Sequence, residues 1–452
     1  MRRILWFRRD LRIEDNPLLS LGGEVLPIFI FDTNILKKLS KEDRRVSFIF
    51  SRVLELKKGL QAKGLDLKLF FADPLEVFAS LAHLSFDEVA ASGDYDSYAR
   101  QRDLQISHIL PFNYLHDTYI FRPEEVLKAD QTPYLVFTPF YNKAKTLFGK
   151  KHLQEFEFHQ QRLFPTDYKG ITQCPRGKKD VYSLDIASIG FQHVPLAIVE
   201  PHEKLADLEK KLNQYAHNRD IPFLDGTSHL SLELRFGTLS VRQVLRFLLV
   251  QKNRGIETEV FFRQLVFRDF YAYLLYHFPY LQTQNYKYAF KGIPDRAKYE
   301  AFIHAKTGVP LIDAGVRELI QTGDMHNRVR MVCASFFTKD LLLPWQWGER
   351  FFAQYLLDYD ASSNVLSWQW SAGTGVDPQP YFRIFNPYLQ SKKFDKEAHY
   401  IKRFCPELTS IASKLLHDEE ALWQGTIANY PKPMLRHKKV AKEALAYYKR
   451  SL

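Results

Sequence analysis

The chain has 452 residues, long enough for two or three domains. Its 46% hydrophobic and 25% charged residues exclude disordered and collagen-like chains. Lys and Arg outnumber Asp and Glu by 63 to 52, and the resulting +11 permits a polyanion partner without proving one. No stretch approaches the roughly 18–20 apolar residues of a membrane span. The opening MRRILWFRRDLR lacks a small-residue cleavage site. A cytoplasmic, membrane-free protein is therefore expected. Three scattered cysteines, Cys174, Cys333 and Cys405, cannot build a disulfide framework or a metal knuckle, and a reducing compartment fits.

Along the first 125 residues, short β-rich runs alternate with amphipathic stretches. Strands are expected at Ile4–Phe7, Val25–Phe31, Asp66–Phe71 and Asp87–Ala91, and helices at about Lys41–Lys63 and Pro74–Ala82. This alternation predicts a parallel, Rossmann-like α/β sheet. The run VLPIFIF is apolar throughout, as a strand covered on both faces requires. No GxGxxG follows the first strand; RRDLRIEDNP does. From about 131 to 198, prolines and the charged RGKKD read as a connector with little regular structure. From 199 onward the apolar spacing is helical, as in SVRQVLRFLLVQ with Ser240 as N-cap, and an all-α domain over 199–452 is expected. The last 22 residues carry Lys432, Arg436, Lys438, Lys439, Lys442, Lys449 and Arg450, which read equally well as a solvated helix face.

Aromatic residues are the compositional anomaly, with 36 Phe, 24 Tyr and 6 Trp. Four of the tryptophans (Trp345, Trp347, Trp368, Trp370) fall within one short segment, which suits either core packing or stacking on a flat ligand. Asp358 and Asp360 sit two apart near a helix end. No His or third acid is spaced to complete a metal site with them, so no metal is expected, and an Arg–Asp ion pair between helices is the better reading.

Several segments together resemble the photolyase/cryptochrome family. They are FRRDLRIEDNP at 7–17, TPYLVFTPF at 132–140, GTSHLSLELRFGTLSVR at 226–242, TGVPLIDAGVRELIQTGDMHNRVRM at 307–331, and the stretch from KDLLLPWQWGERFF to YFRIFNPYLQSKKFD at 339–395. The resemblance covers nearly the whole chain in order. It implies an antenna domain over 1–130, a connector over 131–198 and a helical FAD-binding catalytic domain over 199–452. For FAD, Tyr215, Thr227, Ser228, Leu230 and Ser231 match the phosphate-facing segment, where hydroxyls and N–H groups at a helix start suit phosphate. Arg330 and Asp358 match an ion pair beside the flavin ring, Asp360 an acid near its pyrimidine edge, and Asn364 the side chain facing N5. Trp368 and Trp345 match the electron relay; the outer member falls at Tyr299 by a gapped match, with Trp347 an extra candidate.

The same resemblance implies UV-damaged DNA as partner and an extruded pyrimidine dimer as substrate. Asn327, Met331 and Trp370 match lesion-pocket positions, and Arg328 and Arg383 match DNA-backbone contacts. Gln264 stands where enzymes for cyclobutane dimers usually carry Glu, and Phe267 where they carry Trp. Light-driven repair of cyclobutane dimers by a monomeric lyase is the leading expectation. A cryptochrome photoreceptor and a (6-4) photolyase are the alternatives. Gln264 and Phe267 lean toward the photoreceptor; Asn327–Met331, Trp370 and the lack of a long low-complexity tail after Leu452 lean away from it. His326 bears on the (6-4) alternative, although a lone His there reads as structural. For a second, antenna chromophore the alternatives are a deazaflavin, another flavin or none; folate is not supported, because the Asn-Glu of the folate-using pattern is missing ahead of Arg100-Gln101-Arg102-Asp103. Four clustered thiolates would be needed for an iron–sulfur centre, which three cysteines cannot supply.

Overall fold

In the computed structural model, which describes residues 1–173 and 180–452, the chain divides into two compact units interleaved in sequence. Cys174 and most of the RGKKD run lie outside the described residues. The first unit comprises 1–133, 139–210 and 228–277; the second comprises 134–138, 211–227 and 278–452.

The first unit is built on an eight-stranded sheet. Strands β1 (Arg2–Phe7), β2 (Gly23–Asp32), β3 (Lys68–Ala72), β4 (Glu88–Ser92) and β5 (Phe112–Leu115) are parallel and stand in the order β5-β4-β1-β2-β3. Three aspartates set the helix starts between them. Asp43, Asp73 and Asp96 cap the helices Arg44–Ala62, Pro74–Leu81 and Ser97–Ser107 by accepting backbone N–H groups with their side chains. Alternate residues of β1 and β2 enter two different cores. Leu5, Phe7, Phe29 and Phe31 pack with Phe48, Val53 and Leu56 on one face, and Ile4, Trp6, Ile28 and Ile30 pack with Val77, Phe78 and Ile106 on the other. The period-2 geometry of a strand and the burial of both faces explain why these strands are apolar throughout.

The expected connector is more regular than its composition suggests. It holds a helix, Phe137–Leu147, and three short strands, β6 (Gln161–Leu163), β7 (Ile171–Gln173) and β8 (Asp180–Tyr182). Strand β6 pairs with β2, β7 extends the sheet beyond β3, and β8 pairs antiparallel to β7. Three-residue strands have too little periodicity to show in a sequence; the existing sheet edge supplies their partners.

The compact units also part elsewhere than at 130 and 198. Phe236 belongs to the core that covers one face of the sheet. The charges of RRDLRIEDNP are buried in the same unit: Arg12 grips both oxygens of Asp117 at 2.6 and 2.9 Å, and Arg242 joins Asp117 at 2.8 Å and Asp15 at 3.2 Å. Burial alone would raise the Asp117 carboxyl, but the two guanidinium groups prevail and hold it at about 2. This segment thus builds an ion network where a dinucleotide fold would have a glycine loop.

No strand follows β8 among the described residues, in agreement with the helical reading of the C-terminal half. Ser240 caps the helix Val241–Asn253 in a box with Gln243, as its sequence predicts. The second unit encloses one large core around the helices Pro310–Thr322, Asn327–Ser335, Trp345–Tyr355 and Ala361–Ala372. None of the described helices is long and apolar enough to cross a membrane.

Candidate functional site

The helices Asn327–Ser335 and Ala361–Ala372, with the ends that flank them, gather most of the residues singled out in the second unit. Arg330 forms a two-pronged ion pair with Asp358, at 3.2 and 3.1 Å, and also reaches Asp324 at 3.1 Å. The Arg–Asp reading is therefore realised as geometry. Asp360 is the N-cap of Ala361–Ala372, accepting from the Ser363 N–H at 3.2 Å and from the Ser362 hydroxyl. One turn into that helix, buried Asn364 donates its amide to the backbone oxygen and the carboxylate of Glu349, at 3.1 and 3.0 Å. Its side-chain carbonyl accepts nothing from the described residues and keeps its acceptor capacity. Glu349, which the sequence reading missed, is pushed up by burial, against which Asn364 and Tyr359 donate.

Trp368 is 1% exposed and packs edge-on against Phe337 (5.4 Å) and Phe352 (4.9 Å). Phe337 meets Tyr299 at 6.3 Å, and the ring against Tyr299 on its other side is Trp347, at 5.4 Å. Trp345 lies in the same core and donates its indole N–H to Asn285 at 2.8 Å. Burial lifts the Tyr299 hydroxyl above its ordinary range. The structure thus brings Tyr299 and Trp347 together, which chain order alone does not reveal.

At the start of the Asn327–Ser335 helix, exposed Asn327 points its amide at the Met331 sulfur, 3.6 Å away and one turn on. His326 is the N-cap, accepting the Arg328 N–H at 3.1 Å; burial drives its imidazole down to about 4, so it is neutral at ordinary pH. That is the structural role expected of it. Arg328 pairs with Asp220 at 3.0 Å and stacks on Phe394 at 4.5 Å, a tether the sequence did not disclose. Trp370 is half-buried. Arg383 is exposed, and its guanidinium has no hydrogen-bond or ion-pair partner among the described residues.

The remaining expected residues divide between the units. Tyr215 is buried in the second unit under the Arg219 guanidinium, and the Thr227 backbone oxygen accepts from Lys211 at 3.4 Å. In the first unit, the Ser228 hydroxyl accepts the Leu230 N–H at 3.3 Å, directly before the short helix Ser231–Phe236. Gln264 and Phe267 lie one turn apart on the helix Glu259–His277, Gln264 donating to the Val260 oxygen and Phe267 beside Tyr271 and Arg263. The antenna-pattern run is tied into its own unit: Asp103 accepts from Arg8 and Arg102, and Tyr98 donates to Asp32 at 2.6 Å.

A parallel α/β unit and a helical unit with a core rich in buried aromatics and an Arg330–Asp358 ion pair are the features to set beside known proteins. Residues 3–158 match the DNA photolyase family model, and 261–450 match the FAD binding domain of DNA photolyase. The deoxyribodipyrimidine photo-lyases of Alkalihalophilus pseudofirmus and Escherichia coli are 33% and 32% identical, over 99% and 98% of this chain and 98% of each of theirs. A solved archaeal photolyase from Sulfolobus tokodaii with two FAD molecules superposes with a TM-score of 0.85 at 30% identity, covering all of both chains. The chain belongs to the DNA photolyase family, and FAD is its cofactor.

The donor set of the second unit fits FAD. Asn364 offers an unclaimed acceptor, and the Arg330–Asp358 pair offers a fixed cation with a neutralising anion.

Proposed function

We propose that this protein repairs cyclobutane pyrimidine dimers in DNA, driven by light. The observation that carries this reading is the exposed Asn327 amide one turn from Met331. It presents two donors, uncommitted apart from the sulfur, beside a soft apolar surface, which suits a base edge and a saturated pyrimidine ring. The relatives named deoxyribodipyrimidine photo-lyase support the same substrate class.

Bound FAD in its reduced form supplies the electron that splits the dimer and receives it back. Within the chain, Asn364 accepts a hydrogen bond at the cofactor while Glu349 fixes its amide orientation. Arg330, neutralised by Asp358, supplies a positive field beside the ring. Asp360 caps its helix and is assigned to the pyrimidine edge. Tyr215, Thr227, Ser228, Leu230 and Ser231 are assigned to the phosphates by motif. Trp368, Trp345 and Tyr299, with Trp347 beside Tyr299, are assigned to a relay that would carry electrons from an external reductant to the bound cofactor. Trp370 is assigned to the lesion as a stacking surface; Gln264 and Phe267 are assigned to it by motif alone. Arg383 is the free cation for the DNA backbone. Arg328 would have to exchange Asp220 for a phosphate.

The test is a repair assay. Reduced protein and an oligonucleotide with one thymine cyclobutane dimer are illuminated with blue light beside a dark control. Light-dependent recovery of intact thymines is expected. No recovery, with FAD bound and photoreducible, would transfer the assignment to (6-4) products or to signalling.

A further inference from the structure

We infer that Lys339 is a positioning residue for DNA recognition: its buried ammonium holds the turn Pro380–Arg383 in the shape that presents Arg383 to a phosphate. The inference rests on the DNA-repair reading for Arg383, and it concerns a residue that reading does not use.

Lys339 sits in the π-helical turn Phe336–Asp340, directly after the helix that begins at Asn327. It is fully buried, at 0% exposure. Its ammonium donates to the backbone oxygens of Arg383 at 2.8 Å and Pro380 at 3.4 Å. Among the described residues no carboxylate lies within 4.0 Å of it; one oxygen of the neighbouring Asp340 is engaged by His437 Nδ1 at 2.5 Å. Burial pulls the Lys339 amine down to about 7 against the raising field of Asp340, and a Met or Leu of similar volume would avoid the cost of burying it. What the amine achieves here is specific. The turn Pro380–Arg383 closes on its own N–H···O bond at 2.9 Å, and both its end carbonyls point at one ammonium.

The same turn is tied to the lesion-side helix. Gln379 donates its side chain to the Arg383 oxygen at 2.5 Å, and its N–H to the Trp370 oxygen at 3.1 Å. With the carbonyls drawn inward, the last two side chains face outward: Phe382 is 63% exposed and the Arg383 guanidinium is unpartnered among the described residues. At the tip of the turn, half-buried Tyr381 packs against Phe290 and Tyr448, which anchors one side of the turn but does not touch its end carbonyls. Lys339 adds from below the hydrogen bonds that fix the Pro380 and Arg383 carbonyls, beside the packing of Tyr381 and the Gln379 bond.

The test uses the full-length FAD-bound protein and a duplex with one thymine cyclobutane dimer, under dim red light. Binding is measured across salt for wild type, Lys339→Met, Lys339→Gln, Arg383→Ala and the double variant Lys339→Met/Arg383→Ala. Lys339→Met is expected to weaken binding about tenfold with FAD content unchanged, and Lys339→Gln less. The salt slope should fall by about 0.9, one phosphate contact, as in Arg383→Ala. The double variant should bind within about twofold of Arg383→Ala, since both changes remove the same contact. Trypsin should cut after Arg383 faster in Lys339→Met than in wild type, with no DNA present. Wild-type affinity and slope in Lys339→Met, fully multiplying losses in the double variant, or unchanged cleavage would overturn the inference. Failure of the wild type to prefer dimer DNA would instead remove the repair reading, while the trypsin comparison still decides whether Lys339 holds the turn.

Discussion

Replacing Gly348 by alanine is expected to destabilise the protein although it removes a helix-breaking residue. Gly348 lies inside the helix Trp345–Tyr355, where Ala is favoured over Gly by about 1 kcal/mol. A Cβ there would meet three atoms of the Trp368 indole: Cη2 at 2.2 Å, Cζ3 at 2.4 Å and Cζ2 at 2.9 Å. Carbon atoms pack at roughly 3.5–4.0 Å, so the overlap exceeds 1 Å. The ring cannot retreat, because Phe337 and Phe352 close it from two sides. Overpacking of this kind costs about 1–3 kcal/mol, and the rigid ring puts it near the top of that range. The net is a loss of about 2 kcal/mol, or about 4–8 °C in Tm for a unit of this size. Thermal melts of the two proteins measure it, and transient absorption should show slower photoreduction of bound flavin as Trp368 is displaced. An unchanged or raised Tm for Gly348→Ala would refute the packing argument.

In the first unit, the depressed Asp117 carboxyl should contribute about 2 kcal/mol of stability that is present above pH ~4 and lost as pH falls toward 2, since the unfolded group binds its proton first. Asp117→Asn should lose about 3–5 kcal/mol at pH 6 by removing the ion-pair partner of Arg12 and one of the two carboxylates on Arg242. It should also flatten this acid limb, which urea unfolding at pH 6 and pH 3 resolves. Asp358→Asn removes one of the two carboxylates on Arg330 and should lower FAD retention about tenfold, read as flavin content after gel filtration; full retention would detach the pair from the cofactor. Gln264→Glu should tighten dimer binding about fivefold by making a charged hydrogen bond, and unchanged or lost binding would count against a cyclobutane pocket. Asn327→Ala should abolish lesion preference with FAD retained; unaltered binding would take Asn327 out of the site.

Local chemistry made much of this molecule legible from its residues. Apolar runs alternating with amphipathic stretches located β1 to β4 and two helices within a few residues, because strand and helix periods are properties of neighbours in sequence. The Ser240 cap and the paired charge of Arg330 and Asp358 followed from residue type and motif in the same way. Other features depend on partners far along the chain. Strands β6 to β8 exist because a sheet edge was there to receive them. The charges of RRDLRIEDNP find their partners only in Asp117 and Arg242, more than 100 residues later, which bury them. Likewise, Arg328 is tethered by Asp220, Asn364 is oriented by Glu349, and Trp347 rather than a sequence neighbour touches Tyr299. Lys339 shows the difference most clearly. By residue type it is a solvated cation, and only tertiary packing, which took it out of water and turned two backbone carbonyls toward it, made it a structural anchor.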